Sequence, residues 1–404
     1  MGKLSKGETM VKTPIYFDHA ATTPVDPTVV EKMIPFFTQT FGNPNSQHVF
    51  GRESVKAVDE ARDTIAKIIN AKPNEVYFTS GGTEGDNWAL RGVANAFKQK
   101  GKHIIISPIE HAAMLSTAAA LKKEGFEIEY MRVDEFGFVD LEHLKKIVRN
   151  DTIFVGCMLA NNEVGTIEPI KEIAEIAHAK GALCFTDAVQ AAGVLKTDVK
   201  ELGVDLMSMS SHKIYGPKGV GALYIRNGVK VDSILTGGHQ ERMKRGGTTN
   251  VPAIVGFAEA FKIANRDREK NFEYVSMLRD RFIDKVLESI PYIKLNGPRE
   301  NRLPANADFS FEYIEGESIL FSLDLAGIAV SSGSACSSGS LEPSHVLLAL
   351  GVDEALAHGS IRFSFGKHNT IEEIDYAVDV LKEAVDRLRM MSPLFNAKGE
   401  IKNV

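Results

Sequence analysis

Lys213 closes the run Ser208-Met209-Ser210-Ser211-His212-Lys213, a β-prone segment ending in small hydroxyls, and Gly216-Pro217-Lys218-Gly219 follows it. An amine held at such a strand end can form a Schiff base with an aldehyde cofactor; a lysine beside a turn is also an ordinary surface cation. Asp187, in Thr186-Asp187-Ala188-Val189-Gln190, ends the preceding apolar run. Its carboxylate can pair with a protonated pyridine ring and keep that ring an electron sink. It can equally cap the next helix, and one oxygen can serve each role.

A phosphate site requires backbone donors. Gly81-Gly82-Thr83 lies where a strand turns into a helix, so free amides and the helix dipole would face an anion, with the Thr83 hydroxyl beside them. Ser210 and His212 are further donors next to Lys213. His111, in Ile109-Glu110-His111, can stack over a ring and move protons near neutral pH, or simply cap a helix. Cys336 sits in Ser331-Ser332-Gly333-Ser334-Ala335-Cys336-Ser337-Ser338-Gly339-Ser340, nine small residues around one thiol. Such a stretch buries little, so this thiol reads as an exposed nucleophile. Cys157 and Cys184 lie in apolar runs and read as small buried hydrophobes.

The elements that must position these groups are strands alternating with helices. Val76–Thr79, 103–107, 152–158, 183–186 and 206–210 are short apolar runs, and helical patterns follow the first three. This alternation predicts a mostly parallel sheet covered on both faces, with chemistry at the carboxyl ends of its strands. A long charged helix is expected from about Ala253 into the 280s. The 404 residues suffice for two domains, and 44% hydrophobic with 25% charged residues is an ordinary globular balance. A net charge of -6 without a basic stripe argues against a nucleic-acid partner. No apolar run approaches the ~20 residues of a membrane span, and the amino-terminal residues lack a signal-peptide core. Three cysteines, odd in number and without zinc spacing, favour a reducing, cytoplasmic setting.

Taken together, the chain from about Tyr16 to Phe395 resembles the cysteine desulfurases of the fold-type I pyridoxal-phosphate family. The matching segments are Phe17-Asp18-His19-Ala20-Ala21-Thr22-Thr23, Gly42-Asn43-Pro44, Thr79-Ser80-Gly81-Gly82-Thr83-Glu84, Asn161-Asn162-Glu163, Asp187-Ala188, Ser211-His212-Lys213, Arg245-Gly246-Gly247-Thr248 and the Cys336 segment. That segment, with Leu341-Glu342-Pro343-Ser344 after it, is similar to the long-loop class of housekeeping and nitrogen-fixation desulfurases.

The resemblance implies an α/β fold with a large pyridoxal-phosphate domain, residues 24–265, built on a mostly parallel sheet of seven-stranded type. A smaller α/β domain, residues 10–23 and 266–404, would carry the cysteine loop 331–340. It further implies Lys213 as the Schiff-base lysine, Asp187 as the pyridinium partner and His111 stacked on the ring. Gly82, Thr83, Ser210, Ser211 and His212 would hold the phosphate of pyridoxal 5'-phosphate, with Thr248 reaching in from the second subunit of a homodimer. Gln190 and Asn162 would meet the ring's hydroxyl side. Arg362, in Ser360-Ile361-Arg362-Phe363-Ser364, would clamp the substrate carboxylate with Asn43 and Asn162 as helpers, a task suited to a bidentate guanidinium.

The implied reaction converts L-cysteine to L-alanine and leaves a persulfide on Cys336 for a sulfur-acceptor protein, an iron–sulfur scaffold among the candidates. The only metal role left open is transient iron–sulfur ligation by Cys336. The segment after Ser392-Pro393-Leu394-Phe395 is shorter than the tail of members that dock such a scaffold. The nearest rivals are a selenocysteine lyase or another transferase on the same cofactor. A non-catalytic scaffold is disfavoured, because Lys213, Asp187, His111, Arg362 and Cys336 are all present.

Overall fold

The computed structural model describes residues 11–332 and 342–393 and divides into two compact units. The larger spans Thr22–Phe272 and includes Pro298–Leu303; the smaller takes the residues up to Ala21, Glu273–Gly297 and those from Pro304 onward. The change of unit therefore falls within a helix at 272/273 instead of near 265. Residues 298–303 return to the larger unit because Ile167 N–H donates to the Asn301 carbonyl at 3.0 Å and Leu303 N–H to that of Gly165 at 2.8 Å. The single long helix expected from Ala253 is two helices, Val251–Arg266 and Arg268–Ser289, with Asp267 closing the first.

The larger unit is built on a seven-stranded sheet ordered Val76–Thr79, Gly221–Ile225, Leu206–Ser210, Leu183–Asp187, Thr152–Gly156, His103–Ile106 and Glu127–Tyr130. All run parallel except Gly221–Ile225, which is antiparallel to both neighbours. The central strands are buried on both faces, which is why they read as unbroken apolar runs rather than alternating ones. Phe154 and Val155, adjacent in one strand, belong to two different hydrophobic clusters, one on each face. Glu127–Tyr130 escaped the sequence reading because it is an edge strand carrying two glutamates, a composition that protects a sheet edge.

The smaller unit has a three-stranded antiparallel sheet with Asn306–Phe311 between Ser360–Ser364 and Ile293–Asn296. Ile15–Tyr16 pairs in parallel with Ile328–Ala329. Its core is aromatic: the Phe282 ring lies 4.6 Å from Phe363 and 5.3 Å from Phe365, close to the tilted and edge-on spacings aromatic pairs favour. Among the described residues no helix is long and apolar enough to cross a membrane.

Candidate active site

The larger unit collects its polar groups at the carboxyl edge of its sheet. The helix Gly82–Phe97 begins directly after the strand Val76–Thr79, and no side chain caps its first amides. Thr79 and Ser210 both pair with Gly221, the residue between them. A Cβ on Gly221 would come within 2.9 Å of the Gly81 Cα, so only glycine lets the two chains approach. A Cβ on Gly82 would likewise lie 2.6 Å from Val189 Cγ2, so the bare helix start closes on the loop after Asp187.

The result is a cleft of about 390 Å³ lined by Thr22, the segment from Ser80 to Glu84, Ser210, His212, Lys218 and Gly219. Open amides, four hydroxyls and an ammonium suit an anion with several oxygens. Glu84 does not oppose that charge, because both its oxygens accept from Arg245 at 2.8 and 3.0 Å. Burial, helped by Lys213 and Lys218, pushes the His212 pKa down to about 4, so its imidazole is neutral at pH 7. Its Nδ1 lies 3.1 Å from Thr22 Oγ1. Ser211, also expected at the phosphate, is fully buried against Gly216 and does not line this cleft.

Lys213 follows the strand Leu206–Ser210 in a single 3₁₀ turn, and Asp187 ends the adjacent strand. Asp187 is 4% exposed, and its Oδ1 accepts from Val189 N–H at 2.8 Å. Burial raises its pKa; the Val189 amide, the nearby His111 and Lys213, and the Ser208 hydroxyl oppose that rise. His111 caps the helix Ala112–Lys123, its Nδ1 accepting from Ala113 N–H at 3.1 Å. A neutral His111 therefore carries its proton on Nε2, and capping coexists with a role at the ring. Asn162 is buried beside Asn161, whose Nδ2 donates to the Ile109 carbonyl at 2.9 Å and ties this turn to the segment before His111. Gln190 is half-buried, three residues past Asp187.

Three buried groups here escaped the sequence reading: Asp86, Ser208 and Glu110. Asp86 lies on the same helical stripe as Ala89, Leu90 and Val93, all fully buried. A carboxylate on an apolar stripe is the signal that could have found it. Its Oδ1 lies 2.5 Å from the Ser208 hydroxyl. Glu110 Oε1 accepts from Met158 N–H at 2.6 Å.

Asn43 and Thr248, also expected at the site, do not line this cleft. Asn43 and Thr248 are exposed, and Asn43 Oδ1 accepts from Asn45 N–H at 3.0 Å. In the smaller unit Arg362 is 1% exposed on its strand, and its Nη2 donates to Asp18 Oδ1 at 3.1 Å. Its backbone exchanges two hydrogen bonds with Ser331, at 2.7 and 3.2 Å, so the chain entering the cysteine segment is paired to the arginine's own residue. Cys336 lies outside the described residues. Cys157 and Cys184 are fully buried free thiols whose pKa burial raises, as their apolar surroundings led one to expect.

A lysine and a buried carboxylate on adjacent strand ends, with an anion cleft at the first helix of a mostly parallel sheet, define a cofactor-dependent α/β transferase. The chain belongs to the aminotransferase class-V family, which matches residues 15–377. It is 54% identical over 383 residues to the cysteine desulfurase IscS of Dictyoglomus turgidum, covering 95% of this chain and 97% of that one. To the protein of the same name from Methanosarcina thermophila it is 52% identical over 380 residues, 94% of each chain. Among solved structures a NifS-like protein superposes with a TM-score of 0.88 at 40% identity, covering 93% of this chain and all of the other.

Proposed function

We propose that this protein is a pyridoxal-phosphate-dependent cysteine desulfurase that converts L-cysteine to L-alanine and retains the sulfur as a persulfide on Cys336. The observation that carries this reading is the pairing of Lys213 with buried Asp187 on adjacent strand ends beside an uncapped helix start. The likeness to the two desulfurases over nearly the whole chain selects this reaction among those of the family.

The uncapped amides at Gly82, the hydroxyls of Thr83 and Ser210, and His212 would hold the phosphate. Asp187 would hold the ring nitrogen, and Asn162 and Gln190 the ring's hydroxyl side. Bound there, pyridoxal phosphate supplies a sink for the electrons of the substrate α-carbon. Lys213 accepts the α-proton. Arg362, whose guanidinium Asp18 already orients, takes the substrate carboxylate, with Asn43 and Asn162 beside it.

Of the three cysteines only Cys336 is left for sulfur chemistry, because Cys157 and Cys184 are buried with raised pKa. Its thiolate attacks the substrate sulfur: the carbon–sulfur bond breaks, its electron pair stays with the substrate carbon, and a sulfur–sulfur bond forms. The β-carbon takes the proton that left the Cys336 thiol, and the α-carbon regains the proton held by Lys213, which completes alanine. His111 Nε2 moves protons to and from the thiols. The persulfide then passes to an acceptor protein for iron–sulfur cluster assembly, thio-cofactor synthesis or tRNA thiolation, in the reducing cytoplasm.

The enzyme works as a homodimer, with Thr248 of the partner subunit completing the phosphate site. In support, Ile34, Phe37, Phe41, Val49 and Phe50 form an exposed apolar run in the larger unit, with Phe37 61% and Phe41 63% exposed.

The test is to load the purified protein with pyridoxal phosphate and measure alanine and sulfide from L-cysteine under reductant. Equimolar products from the wild type, with Cys336→Ala keeping the cofactor's visible absorbance but releasing no sulfide, are expected. A Cys336→Ala variant with undiminished sulfide release would overturn the persulfide step.

A further inference from the structure

The carboxyl edge of the sheet holds more buried acid than a single pyridine nitrogen requires. Asp187, Asp86 and Glu110 are 4%, 1% and 0% exposed, and each lies in the electrostatic field of another. Asp86 comes from the helix Gly82–Phe97, Asp187 from the end of Leu183–Asp187, and Glu110 from the segment after His103–Ile106. Ser208 stands between the first two. It is the register partner of Asp187 on the neighbouring strand, and its hydroxyl lies 2.5 Å from Asp86 Oδ1. The helix reaches that close because Gly85 has no side chain; a Cβ there would already be 3.0 Å from Ser208 Cβ.

Two buried carboxyls that meet the same Ser208 hydroxyl and lie in one another's field disfavour ionising together, and the proton goes to the one with fewer partners. Asp187 has the Val189 amide at 2.8 Å and favourable electrostatic interactions with His111 and Lys213. Among the described residues the Ser208 hydroxyl supplies the hydrogen bond that stabilises ionised Asp86, and Asp187 and Glu110 both push its pKa up. Glu110 is raised as well, chiefly by burial and then by Asp187, against the hydrogen bond that it accepts from the Met158 amide.

We propose that Asp86 and Ser208 are positioning residues forming a one-way hydrogen-bond relay: neutral Asp86 donates to Ser208 Oγ, which frees the Ser208 hydroxyl to donate to Asp187 and keep it the anion that holds the cofactor. The relay rests on the reading of Asp187 as the partner of the pyridine nitrogen. It assigns Asp86 the role of a permanent donor rather than a titrating acid, so an amide in its place retains the function. Ser208→Ala removes the donor to Asp187, and the Asp187 pKa rises further. Cofactor binding that needs this anion is then lost at a higher pH as pH falls.

The experiment is a titration of apoprotein with pyridoxal phosphate, followed by the absorbance of the bound cofactor, from pH 5 to 8 for wild type, Ser208→Ala and Asp86→Asn. One hydrogen bond to a charged group sets the scale, about tenfold in affinity. Ser208→Ala is expected to bind about tenfold more weakly at the acid end, with its acid limb about one pH unit higher. Asp86→Asn is expected to keep the wild-type limb. An unshifted limb in Ser208→Ala, or an Asp86→Asn limb displaced like that of Ser208→Ala, overturns the relay. Failure of the wild type itself to bind the cofactor overturns the proposed function instead, so the two failures are distinct.

Discussion

The two units of this chain supply polar groups in opposite ways. In the larger one, the strands ending at Thr79, Ile106, Asp187 and Ser210 run in one direction, so their following segments open on a single sheet edge. Amides, hydroxyls, histidines, a lysine and three buried carboxyls meet there although together they span more than a hundred residues of sequence. The smaller unit has an antiparallel sheet whose strand ends point alternately to either edge. Within it Arg362 is buried in mid-strand, held by Asp18 at 3.1 Å and paired through its backbone to Ser331. A parallel sheet gathers a constellation, whereas an antiparallel one sets a single side chain with great firmness.

The largest break in this comparison is Lys213→Ala. With Lys213 as the proposed anchor of the cofactor and base, removing the amine should lower turnover of L-cysteine by ~10³-fold or more. Residual alanine formation measured on cofactor-loaded protein checks it; turnover within tenfold of wild type would show that the edge constellation is not the catalytic one.

Arg362→Lys tests the carboxylate clamp proposed for the smaller unit. It keeps the charge and loses the planar fork, so KM for L-cysteine should rise roughly 10- to 100-fold while cofactor absorbance stays as in the wild type. Loss of cofactor binding instead would make the arginine part of the cofactor site.

The smallest effect separates the units by pH. Burial pushes Glu168, in the larger unit, up to about 8. A carboxyl with a raised folded-state pKa stabilises fully below its unfolded value near 4.5, and that contribution is lost as pH rises toward 8. Glu168→Gln should therefore raise the melting temperature at pH 8 relative to wild type and leave it nearly unchanged at pH 4.5. His19 in the smaller unit is displaced the other way, to about 4, chiefly by burial. The unfolded chain binds that proton first, so stability falls as pH drops from about 6.5 through 4. A His19→Asn variant should flatten that acid slope without altering the alkaline one, as melting curves at both ends would reveal.

Much of this was legible in the residues themselves. The central strands announced their places because burial on both faces demands unbroken apolar runs, and Asp187, His111 and Lys213 stood out as polar residues at the ends of those runs. Cys157 and Cys184 declared themselves core residues by the same rule. Local chemistry and periodicity carry that kind of information. Folding together decided the rest. No local pattern shows that Ser208 stands opposite Asp187, that Gly85 lets Asp86 approach it, or that Ser211 turns into the interior while Ser210 faces the cleft. Nor does it show that Asp18 meets Arg362 across 344 residues, or that 298–303 return to the larger unit. These depend on strand register and helix approach, which are set by packing between segments distant in sequence. The charge state of a buried carboxyl depends on neighbours that only the folded chain assembles.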